Sequence, residues 1–100
     1  MKKSKLQKIS LSVTFYKEGD KFIAFSPALN LSTCGDTLGR AKKRFEEMVG
    51  IFFEEVEHSN TLEDTLLECG WQKIGKVHKR WQPPIFVGRD QEEINIPCPV

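Results

Sequence analysis

From Ile9 the apolar residues Ile9, Leu11, Val13 and Phe15 alternate with Ser10, Ser12, Thr14 and Tyr16. A period of two marks a half-buried strand. Lys17-Glu18-Gly19-Asp20 supplies turn residues and Lys21 to Ser26 returns as a second strand, so the pair predicts a hairpin. Phe22, Ile23, Ala24 and Phe25 are apolar at four successive positions, which predicts two covered faces and a place in the middle of a sheet. Pro27 interrupts, and a third, shorter strand is predicted over Leu29 to Thr33.

The period then changes. At about 100° per residue, Leu38, Ala41, Phe45, Met48, Val49, Phe52, Phe53 and Val56 fall within an arc of roughly 140°. One long helix laid across a three- or four-stranded antiparallel sheet gives each element a partner for its apolar side. A second, short helix is predicted beyond His58, with Asn60 and Glu63 or Thr61 and Asp64 at capping-box spacing and Gly70 to end it. Trp71 to Trp81 predicts a hairpin turning at Gly75-Lys76. After Pro83-Pro84, Ile85 to Gly88 and Glu92 to Pro97 read as further strand pieces, ahead of an irregular tail. The expected class is α+β in β-β-β-α-α-β order, a single domain over residues 1–100, with a basic tail at 1–7 and an extension at 83–100.

Composition narrows the class without changing it. Leu, Ile, Val and Phe supply 28 of the 100 residues, enough for a modest core. No apolar run approaches the roughly 20 residues of a membrane span, and no apolar signal segment follows the basic start. A soluble, cytoplasmic protein is expected. Cys34, Cys69 and Cys98 lack the CxxC pairing of zinc sites, and His58 and His78 stand at no metal or catalytic spacing. No acid-base or metal constellation points to an enzyme, and no cofactor is expected.

The net charge of +1 conceals blocks of both signs. Arg40, Lys42, Lys43 and Arg44 crowd the start of the long helix, and residues 46–68 then carry eight acids and no Lys or Arg. Cations at the positive end of the helix dipole, and Glu54, Glu55 and Glu57 at its negative end, each cost a few tenths of a kcal/mol or more. Two readings stay open, a solvated face of no consequence or two ends kept for partner or self-association surfaces.

Cys34-Gly35-Asp36-Thr37 opens that helix. It lacks the GxxxxGK[ST] of a phosphate loop and has no base spaced to activate Cys34. Gly35, Asp36 and Thr37 read instead as a bend and a helix cap, Asp36 or Thr37 accepting from first-turn amides.

This order of elements, with "FIAFSPALNLSTCGDTLGRAKKRFEEMV", Pro27 and Leu29 before the third strand, Gly35-Asp36-Thr37 at the helix start and Ala41 in its first turn, resembles the HicB-like antitoxins over roughly residues 9–57. The resemblance implies a β-β-β-α-β partial ribonuclease-H-like fold. It also implies a non-catalytic role, binding and occluding a small, basic, HicA-like ribonuclease toxin. Glu54, Glu55 and Glu57, with Arg40, Lys43 and Arg44, are the expected partner-binding residues, and exposed sheet edges make a homodimer or higher homo-oligomer an expectation. The family's ribbon-helix-helix or helix-turn-helix module has no counterpart in the 17 residues after Pro83, so DNA binding is not carried over. A competing expectation is a nucleic-acid binder using Trp71, Lys73, Lys76, Lys79, Arg80 and Trp81, because cations track phosphates while aromatic rings stack on bases.

Overall fold

The computed structural model describes residues 6–100, so the first five residues of the expected basic tail lie outside it. Three strands, β1 (Thr14–Glu18), β2 (Lys21–Ser26) and β3 (Leu31–Gly35), form an antiparallel sheet with β2 in the centre. Glu18 pairs with Lys21, leaving Gly19-Asp20 as a two-residue turn in which Gly19 takes the left-handed backbone, φ 62°. Helix α1 (Leu38–His58) packs on β2 and β3, and a short helix α2 (Leu62–Glu68) follows. β4 (Gln72–Ile74) and β5 (Arg80–Gln82) pair only with each other, as a separate two-stranded sheet. The fold is α+β, with its first five elements in the expected order. The strands after the helices do not join the first sheet.

The strand expected from Ile9 begins only at Thr14, and its register gives the reason. Thr14 faces Phe25, so Ser12 would face Pro27, where β2 has ended. Proline has no N–H for the ladder, and a turn closed by Asn30 N–H on the Pro27 carbonyl, 3.2 Å, carries the chain away. Ile9, Leu11 and Val13 nevertheless direct their side chains onto the core. That turn, with Asn30 at φ 51°, also takes up Leu29, so β3 starts at Leu31 and not Leu29.

Cross-strand pairing places Ala24, Thr33 and Phe15 on one face of the sheet and Ile23, Cys34 and Tyr16 on the other. α1 covers the first face through Ala24, Ala41 and Phe45. A second cluster, Ala28, Leu29, Leu66 and Trp71, lies where the Pro27 turn meets α2, with Phe52 and Phe53 of α1 packed against it. Leu38, expected in the apolar arc, is half exposed at the helix start.

Both helices end by one device. Asn60 sits at φ 59°, donating from its N–H to Glu57, and Thr61 N–H reaches Val56 at 2.8 Å. Gly70 sits at φ 89°, donating to Leu67, and Trp71 N–H reaches Leu66 at 2.9 Å. These are paired Schellman closures. Asn60 therefore finishes α1 and does not cap α2. Thr61 stands at the α2 N-cap without a side-chain cap bond, its hydroxyl paired with Ser59 instead. The β4–β5 hairpin is present, but Ile74 pairs with Arg80, so its loop is five residues and not the two-residue turn expected at Gly75-Lys76. Residues 83–100 form no strand. The pieces expected at Ile85–Gly88 and Glu92–Pro97 meet no partner strand; from Pro84 the segment is an exposed arm, its first residues Ile85–Gly88 lining a cavity with Ser10, Leu11 and Ser12.

Candidate partner-binding surface

Gly35 ends β3 and is buried, and a Cβ there would stand 2.6 Å from the backbone nitrogen of Ala41 and 2.9 Å from the carbonyl carbon of Arg40. Close approach of strand to helix, not an unusual φ, is what selects glycine. Thr37 is the N-cap, its hydroxyl accepting from Arg40 N–H at 3.1 Å. Asp36 turns to an ion pair with Lys21 on the neighbouring strand. That hydrogen bond and charge, then Arg40 and Arg44, hold the Asp36 carboxyl below the usual carboxylate range. The anion beside the first turn offsets part of the repulsion between Arg40 and the dipole. Arg44 reaches back to the Cys34 carbonyl at 3.3 Å.

The outer face of α1 is consequently a charge gradient. Arg40, Lys43 and Arg44 at one end and Glu54, Glu55 and Glu57 at the other are all exposed. Fourteen residues of helix put about 21 Å between Arg40 and Glu54, more than a Debye length at physiological salt. The two ends act as separate patches. Among the described residues, ion pairs join Lys21 to Asp36 and Lys73 to Glu63, and the six α1 side chains are in neither. Ile51 lies on the same face, 56% exposed, one to two turns from Arg44, Glu47, Glu54 and Glu55. The sequence signal for Ile51 was available, as an apolar residue outside the arc that holds the others.

The basic and aromatic segment is dispersed. Trp71 is 2% exposed and its indole N–H donates to the Ala28 carbonyl at 2.7 Å, which removes it as a stacking platform for bases. Trp81 is half-buried, with the Lys73 ammonium 5.6 Å from its ring centre while Lys73 also pairs with Glu63. Lys76, Lys79 and Arg80 are exposed. Lys79, Arg80 and His78 share a concave surface with Lys8.

Among the described residues no three His, Cys, Asp or Glu side chains gather into a metal-binding group, and Cys34, Cys69 and Cys98 are free thiols. Among the described residues no helix is long and apolar enough to cross a membrane. Compared with protein-family models, curated proteins and solved structures, the chain matches none.

Proposed function

We propose that this chain is a non-catalytic protein-binding module of the HicB antitoxin type, which holds a small basic HicA-like ribonuclease against the outer face of α1. One observation carries the reading. Glu54, Glu55 and Glu57 are exposed and enter no ion pair among the described residues, and Glu54 and Glu55 lie within about one turn of the exposed Ile51. An apolar centre with a charged rim is the anatomy of a protein interface. Acid opposite a basic partner raises the association rate and excludes wrong partners.

A small basic protein encoded beside this chain's gene is the expected partner, and finding one is the first step of the test. Reversing charge at Glu54, Glu55 and Glu57 to Lys is expected to slow association at least tenfold at low salt and to relieve inhibition of RNA cleavage. Unchanged association kinetics would remove α1 as the binding surface.

A second reading, nucleic-acid binding, keeps the concave surface shared by Lys8, His78, Lys79 and Arg80, which no carboxylate lines. Anisotropy titration with labelled single-stranded RNA at low salt decides it, because backbone neutralisation is strongest there. No binding would end that reading.

A further inference from the structure

Among the described residues a helix covers one face of the sheet only. On the other face Ile23 and Phe25 are half-buried and join neither core cluster, and Tyr16 beside them is 58% exposed. The arm beyond Pro84 carries the complementary feature. Ile85, Phe86, Val87, Ile94 and Ile96 are each at least 61% exposed, and Ile94-Asn95-Ile96 keeps the one-faced period of a strand. The molecule is elongated, 59 Å against 28 and 22 Å, with a radius of gyration of 17.0 Å. A folded 100-residue domain has about 13 Å.

We infer that this arm docks on the open sheet face of a second copy of the chain, reciprocally, so that the protein is an arm-exchanged dimer. Occupant and seat are both present in one sequence, and an isologous exchange covers both at once. Sixteen extended residues reach about 50 Å, ample to cross a three-stranded sheet about 10 Å wide. The arm's mass, about 1.8 kDa, corresponds to about 2,600 Å² of accessible surface when extended. Covering half of it in each of two arms passes the roughly 1,600 Å² of a standard stable interface. The open face is opposite the one that α1 covers, so the exchange stands independently of the antitoxin-type reading.

Sedimentation equilibrium of the full chain is expected to give twice 11.5 kDa. The arm variant Phe86→Asp/Ile94→Asp/Ile96→Asp and, separately, the face variant Phe25→Asp are each expected to be monomeric and to keep the wild-type far-UV circular dichroism. The exposed thiols supply a positional test, since Cys34 lies on the open face and Cys98 on the arm. In a Cys69→Ser background, a bismaleimide is expected to link Cys34 of one copy to Cys98 of the other, identified by peptide mapping. A monomeric wild type, a dimer indifferent to the arm variant, or cross-links only between like cysteines would each overturn the exchange. An arm protected from proteolysis only by a different protein would overturn it too.

Discussion

The indole N–H of Trp71 donates to the carbonyl of Ala28, 2.7 Å away and 43 residues earlier in the chain. Both residues are buried in one cluster with Leu29 and Leu66. Trp71 also donates from its backbone to Leu66, closing α2. One residue thus ends the second helix and fastens it to the turn between β2 and β3.

Trp71→Phe removes the donor and leaves a buried carbonyl unpaired, which costs about 1–3 kcal/mol, and it also removes part of the packed volume. A loss of about 2–4 kcal/mol is expected in urea unfolding followed by far-UV circular dichroism. A loss below 1 kcal/mol would mean that the turn and α2 are held together elsewhere.

Two glycines should respond in opposite directions to the same added methyl group. At Gly35 the Cβ would meet backbone atoms of Arg40 and Ala41 that cannot rotate away. Gly35→Ala is therefore expected to cost about 1–3 kcal/mol or more. Gly50 lies in the middle of α1 with nothing within 4 Å of its Cβ position, so Gly50→Ala should gain about 0.5–1 kcal/mol from backbone entropy. Calorimetry should show a fall of several degrees in Tm for the first and a rise for the second. A fall at both would mean that the outer face of α1 is covered in solution.

The hairpin, the central place of β2, α1 and the Gly70 stop were legible because each is encoded locally, by period, turn residues or a left-handed position. The misplaced boundaries depend on partners. Ile9 to Val13 alternate like a strand because they are buried on one side, yet the partner strand that would pair with them ends at Pro27. Asn60 and Thr61 fit a capping box by spacing, but spacing cannot say whether Asn60 ends one helix or begins the next. Of the candidate surfaces, the α1 charges could be read directly, since a periodic helix fixes which residues point outward. The Trp71 segment could not, because its burial depends on Ala28, far away in the chain.

Asp36 gives a pH dependence with a defined sign. Its carboxyl is held below the usual range chiefly by Lys21, so the pairing is fully present above the unfolded carboxylate value of about 3.9 and is lost as pH falls through the folded one. Lys21→Met should move the Asp36 titration, followed by carbon-13 NMR of the carboxyl, up toward the ordinary value. High salt should move it the same way, because both groups are exposed. A titration unchanged by Lys21→Met would transfer the effect to Arg40 and Arg44.

Gln7 extends the same dependence on distant partners to the start of the chain. Its side-chain amide makes two hydrogen bonds with the backbone of Trp81, donating to the carbonyl at 2.7 Å and accepting from the N–H at 2.8 Å. A side chain here does what a neighbouring strand would do for β5, which has β4 on one edge only. Gln7→Leu keeps the bulk and removes both bonds, a net loss of about 1–1.5 kcal/mol at this edge. Hydrogen exchange at the Trp81 amide should therefore speed up about tenfold, while the amides of β2, fastened on both sides, stay unchanged. Equal acceleration at both places would show that Gln7 supports the whole fold and not the β5 edge alone.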